Sequence, residues 1–155
     1  MKKYKKGILL ASAIIFALIM AGLYKSHKEN DISSYEKDFI NYKEYFIKAS
    51  EYMIRTDGRI NISRFRENLY GYSSTYPEER YRPTQLEEEA INFLLFDLKY
   101  RSIKSFDGSV MIVKVANNGI ERGLLKLNGA ELPFFIETTH IQDDWYVFKF
   151  TRPFE

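Results

Sequence analysis

Residues 109–151, SVMIVKVANNGIERGLLKLNGAELPFFIETTHIQDDWYVFKFT, decide the fold. Apolar and polar side chains alternate here with a period of two, and turn residues interrupt them at regular spacing. That is the pattern of short antiparallel strands. It predicts strands over 109–116, 120–127, 131–138 and 145–151. Asn117-Asn118-Gly119 and Asn128-Gly129 read as hairpin turns, because Asn and Gly reach the positive φ that tight connections need. Gln142-Asp143-Asp144 supplies a third turn. In the last strand Tyr146, Phe148 and Phe150 share one face, and Trp145, Val147 and Lys149 share the other. Pro133 has no amide to donate, so the 131–138 strand should hold it at its start, at a bulge or on an edge.

Upstream of this block the apolar period is helical. Tyr35, Phe39, Tyr42, Phe46, Ala49 and Met53 recur at steps of four and three and form one stripe, predicting a helix from about 34 to 55. Ser33-Ser34-Tyr35-Glu36 reads as its capping box, and Asp57-Gly58 as its stop. Such a stripe normally packs on a sheet. Its near-heptad spacing could also drive a short coiled coil, although three heptads are marginal for that. Thr84-Gln85-Leu86-Glu87 is a second capping box, opening a helix to about Tyr100. Leu86, Ala90, Ile91, Phe93, Leu94, Leu95 and Leu98 cover most of one side of it, so it should be largely buried. Residues 59–62 could form a short strand, and 69–83 read as a tyrosine-rich loop.

The expected domain is therefore α+β, with two helices packed on a four-stranded antiparallel meander. In element order it is similar to the cystatin-like and NTF2-like architectures. That resemblance implies helices on one face of a curved sheet and implies no function.

The N-terminal end is of a different kind. Gly7 to Tyr24 is an 18-residue run, GILLASAIIFALIMAGLY, without a charge. As a helix it would span roughly 27 Å, close to the hydrocarbon thickness of a bilayer. Tyr4 and Tyr24 flank it, where amphipathic rings favour the interface. Four lysines precede the run and two follow it, a bias that keeps the N-terminus in the cytoplasm and places the rest outside. The run exceeds the usual apolar core of a cleaved signal, and a cut after Gly22 would need a small residue where Met20 stands. The expected organisation is a basic cytoplasmic tail over 1–6, a single transmembrane helix over 7–24, a linker over 25–33 and an extracytoplasmic domain over 34–155. Ala13, Ala17 and Ala21 repeat every four residues, a spacing that lets two membrane helices approach closely.

Charge follows the same division. Six of the 23 basic residues and none of the 21 acidic ones lie in 1–28, so the remainder is net acidic by about four. Nucleic-acid binding needs clustered Lys and Arg, so it is not expected. With no cysteine, disulfides, thiolate metal sites and a cysteine nucleophile are excluded. The lysine- and isoleucine-rich composition is of a bacterial kind, and Asn61-Ile62-Ser63 then matches a glycosylation sequon only by chance.

Chemistry is sparse. His27 falls in the linker, and His140 lies near the turn before the last strand, flanked by Thr138-Thr139 and Asp143-Asp144. A hydroxyl–His–carboxylate set can be drawn there, but working triads are assembled from distant segments, and an ordinary turn histidine is the expectation. Glu87-Glu88-Glu89 sits at a helix start, where acids favour the positive dipole end, so a cation site is not expected. Phosphate-binding glycine motifs, paired metal-binding histidines and calcium loops do not occur, and no cofactor is expected. Tyrosine and arginine are enriched where proteins bind one another, and Tyr72, Tyr76, Arg80, Tyr81 and Arg82 form the one candidate surface. The sequence thus points to a membrane-anchored module that binds the bilayer through its helix and a protein through its outer domain. An envelope hydrolase centred on His140 or a carboxylate, and a structural subunit of a membrane assembly, are the alternatives.

Overall fold

Six antiparallel strands form one sheet, and helices pack against one of its faces. The computed structural model describes residues 14–16, 20, 32–56, 61–64, 82–106, 108–132 and 135–151. The chain divides into two units, Met1–Ser34 and Tyr35–Glu155. In the first, Ile14, Ile15, Phe16 and Met20 are helical and at least half exposed. Among the described residues no helix is long and apolar enough to cross a membrane; most of the 7–24 run lies outside them.

The first helix, α1, spans Ile32–Arg55. Its described start at Ile32 precedes the expected cap, so Ser33 and Ser34 fall within the first turn. The stripe behaves as its spacing requires: Tyr35, Phe39, Phe46, Ala49 and Met53 are fully buried. Tyr42 is half-buried and departs from helical geometry (φ −130°, ψ 28°), which kinks α1 at that point. The stripe faces the sheet, so it does not provide a coiled-coil seam. The second helix, α2, spans Gln85–Asn92 and continues as a π-helical turn through Phe93–Asp97. Lys99 then takes a left-handed φ of 62° and releases the chain into the sheet.

The strands are β1 (Asn61–Ser63), β2 (Ser102–Phe106), β3 (Ser109–Asn117), β4 (Ile120–Lys126), β5 (Ile136–Gln142) and β6 (Trp145–Thr151). Their order in the sheet is β1-β2-β3-β4-β6-β5. The expected four-stranded meander is thus corrected on two counts. At one edge the short strand expected near 59–62 joins the sheet through an additional strand, β2, and at the other edge the last two strands exchange places. Asn118 (φ 49°) and Gly119 (φ 75°) make the β3–β4 hairpin as expected. Asn128-Gly129 does not close a hairpin: β4 pairs with β6, and β5 starts only at Ile136. The reason lies in side-chain pattern. β6 is apolar on both faces and suits an interior position, whereas β5, IETTHIQ, carries exposed polar side chains suited to an edge.

Both faces of the sheet carry a core. On the helix side Ile62, Ile103, Val110, Ile112, Leu124, Trp145 and Val147 meet α1 and α2. On the opposite side Met111, Val113, Leu125, Leu127, Ile136 and Phe148 form a second buried cluster. Gly123 lies between them, paired with Val113 and Phe148, beside a register shift at Val113/Val115. A Cβ at Gly123 would stand 2.0 Å from the Ile112 carbonyl oxygen and 3.0 Å from Val113 Cα. Backbone, not a yielding side chain, occupies that space. Gly129 has no atom within 4 Å of such a Cβ, and its φ is 73°.

These surroundings predict unequal costs for two alanine substitutions. Gly123→Ala must displace the β3 backbone and should destabilise the chain by about 2–3 kcal/mol. Gly129→Ala adds only left-handed strain of about 1 kcal/mol. Chemical unfolding of the full chain in detergent, followed by Trp145 fluorescence, measures both. Equal losses would show that the close approach at Gly123 does not exist.

Candidate functional site

Two concave surfaces stand out among the described residues. One is polar and runs across β1 to β4, with a volume of about 450 Å³ and a lining that includes Asn61, Ser63, Ser102, Lys104, Asn117 and Glu121. Its charges are committed to the protein itself. Lys104 Nζ donates to Glu121 Oε2 at 2.5 Å, with both side chains largely shielded, and Arg101 donates to the Ala116 carbonyl at 3.0 Å.

The other lies between α1 and α2, encloses about 470 Å³, and is lined by Glu44, Tyr45, Ile47, Lys48, Leu86, Glu89 and Ala90. Local structure explains how it forms. The Thr84 hydroxyl accepts from the Glu87 amide at 3.4 Å, and Glu87 Oε2 accepts from the Thr84 amide at 2.7 Å, so the expected capping box is complete. The same Glu87 carboxylate accepts from Arg55 Nη2 at 2.6 Å. One acid therefore caps α2 and ties it to the end of α1. With the helix held in that rotation, Ala90, Ile91, Leu94 and Leu95 face the core, and Leu86 is turned out to 63% exposure. The expectation that Leu86 is buried is corrected by this geometry. The π turn brings Phe93 against α1, where its ring stacks on Tyr45 (centroids 4.2 Å, 26°) and tilts against Tyr42 (5.1 Å).

The groove is apolar at its floor and acidic at its rim. Lys48 donates to Glu51 at 2.8 Å, and Gln85 donates to Glu89 at 2.9 Å. The Lys48 ammonium is held above its ordinary pKa by the hydrogen bond to Glu51 and that carboxylate's charge, with smaller contributions from Glu87 and Glu44.

The sequence-derived candidates fall elsewhere. Tyr72, Tyr76, Arg80 and Tyr81 lie outside the described residues, as does His27. Arg82 is exposed, and its carbonyl accepts from Arg55 at 3.4 Å. His140 sits within β5, one residue before the β5 irregularity and not in the turn itself. Its Nε2 meets the Asp143 carbonyl at 2.9 Å, and its ring packs edge-on to Tyr146 at 5.1 Å. Glu87 acts in capping, as the dipole argument anticipated. Among the described residues no three His, Asp or Glu side chains gather as a metal site. Leu86 stands four residues before buried Ala90 and so shares its helical side, which is why the period alone assigns it to the buried stripe.

A partly buried polar cluster joins α1 to the sheet. The Tyr100 hydroxyl donates to Asp38 Oδ2 at 3.3 Å, the Lys114 ammonium pairs with the same oxygen, and that ammonium lies 4.9 Å from the Tyr100 ring centroid. Burial, reinforced by the Asp38 charge, pushes the Tyr100 phenol well above its ordinary pKa of 10.0. A phenol so hard to ionise is a poor base or nucleophile and serves as a pin. The raised folded value fixes the sign of its pH effect: its contribution is complete below pH 10.0 and is lost as pH climbs from there toward the folded value. Tyr100→Phe should cost about 1 kcal/mol near neutrality and flatten the alkaline fall in stability. Unfolding midpoints measured at neutral and alkaline pH test this, and parallel pH profiles for the two proteins would contradict it.

In comparisons with known proteins, the chain matches no protein-family model, no curated protein and no solved structure.

Proposed function

We propose that this chain is a membrane-anchored interaction module whose outer domain receives a protein partner in the groove between α1 and α2. The observation that carries the reading is the exposed apolar lining of that groove. Leu86 is 63% exposed and Tyr45 39%, with Phe96 nearby in sequence at 44%. Large apolar side chains kept in water at a concave surface are characteristic of binding sites. Three of the more shielded carboxylates among the described residues are engaged internally: Glu87 holds Arg55 and the α2 cap, Asp38 holds Lys114 and Tyr100, and Glu121 holds Lys104.

The anchoring half rests on the uncharged 7–24 run and its lysine bias, which place the N-terminus in the cytoplasm and the domain in the periplasm or at the cell surface. The helical, exposed state of Ile14, Ile15, Phe16 and Met20 is consistent with it. The tyrosine–arginine stretch with Tyr72, Tyr76, Arg80, Tyr81 and Arg82 is retained in the proposal as a partner-binding segment on its composition alone. Likeness to the cystatin-like or NTF2-like architectures belongs to the proposal too, supported by helices laid on one face of an antiparallel sheet.

A photo-reactive benzoylphenylalanine placed at Leu86, and separately at exposed Thr139 on the β5 edge, tests the reading in native membranes. The full chain should remain with the membrane after alkaline carbonate extraction. Position 86 should give a discrete protein adduct that Tyr45→Asp suppresses, and position 139 should give none. Equal adducts at both positions, or none at 86, would overturn the proposed surface.

A further inference from the structure

We infer that the partner presented to the α1–α2 groove is a basic amphipathic segment: an apolar anchor side chain flanked by Lys or Arg. This rests on the groove being the binding surface and adds the chemistry of its occupant. The floor, Tyr45, Leu86 and Ala90, accepts an apolar side chain, and a groove of about 470 Å³ accommodates a few of them. Helix-in-groove recognition has this form, with apolar anchors seated and charged side chains at the margin.

The margin selects the sign. Glu44 and Glu89 line the groove, Glu51 stands beside Lys48, and among the described residues Lys48 is the one cation in the lining. Lys48 is hydrogen-bonded to Glu51 and meets Glu44 only through its charge, so the described lining carries two acids to one base. Glu89 does accept from the neutral Gln85 amide, which leaves its charge in place. The elevated proton affinity of Lys48, traced in part to Glu87 and Glu44, reports the same negative potential. An acidic partner would meet like charges here, and so would an anionic lipid surface. A basic segment gains two pairs, each modest when exposed but decisive between partners of opposite sign.

The test uses the full chain in nanodiscs of zwitterionic lipid, with empty discs subtracted. Two fluorescent hexapeptides share a Leu-Phe centre, one flanked by lysines and the other by glutamates. The lysine peptide should bind roughly tenfold more tightly than the glutamate peptide at low salt. That preference should collapse in 1 M salt, where the screening length is about 3 Å. The double variant Glu44→Lys/Glu89→Lys should reverse the preference, and Leu86→Asp should abolish both bindings while the Trp145 emission stays native. Equal binding of the two peptides, both lost in Leu86→Asp, overturns the basic partner and leaves the groove itself standing. Failure of both peptides to bind overturns the two readings together. Self-association of the chain that Leu86→Asp removes, or attachment to phosphatidylglycerol vesicles that the same variant removes, would show a different occupant and also overturn it.

Discussion

Everything else in this fold depends on one aromatic junction. Trp145, at the start of β6, packs against Phe39 at 4.8 Å and Phe46 at 6.2 Å, and Phe46 meets Tyr100 edge-on at 5.5 Å. The four rings come from α1, the segment after α2, and the sheet, and all four are essentially inaccessible. Each such ring removes roughly 150–250 Å² from water, and tilted or edge-on pairs at these distances add to the area term. Because the rings interlock, α1 has little freedom to slide along the sheet or rotate on it. The Asp38–Lys114–Tyr100 cluster fixes the same register with directed bonds, so the greasy contact and the polar one agree.

The groove is a consequence of that registration. Once Phe39 and Phe46 point into the sheet, the Glu44–Lys48 side of α1 is turned toward α2. The Thr84–Glu87–Arg55 linkage sets how far α2 approaches and which of its side chains remain outside. Glu87 alone satisfies a helix terminus and an arginine from another helix, so capping, packing and the exposure of Leu86 are coupled through a single carboxylate. The π turn contributes by setting Phe93 against Tyr45, whose ring lines the groove. Turns of this kind are rare and concentrate at functional positions.

Much of the architecture was legible from side-chain period. The α1 stripe, the α2 capping box, the β3–β4 hairpin and the two-faced β6 all follow from local rules, and the structure contains each of them. What the period could not supply was strand order, which depends on contacts between distant segments. Asn128-Gly129 looked like a hairpin, yet the partner of β4 is decided by which strand can bury both faces, and β6 outcompetes β5 for that place. β2 leaves a weak signal because it is only five residues long and follows the helix within a few residues, with Asp107-Gly108 as the one turn dipeptide beside it. The candidate site was less legible than the fold. Tyrosine enrichment marks 72–82 in the sequence, whereas the type of Leu86 implies burial and only the rotation of α2 turns it outward.

The junction can be examined through its own reporter, since Trp145 is the only tryptophan in the chain. The decisive measurement is Trp145 emission during chemical unfolding of the full chain, paired with amide exchange in the 43–55 part of α1. If α1 is held by the aromatic junction, emission begins blue-shifted and resists acrylamide, and it turns red at the same denaturant midpoint at which the α1 amides become exchangeable. A solvent-exposed emission in the folded chain, or α1 opening well before Trp145 responds, would contradict the account.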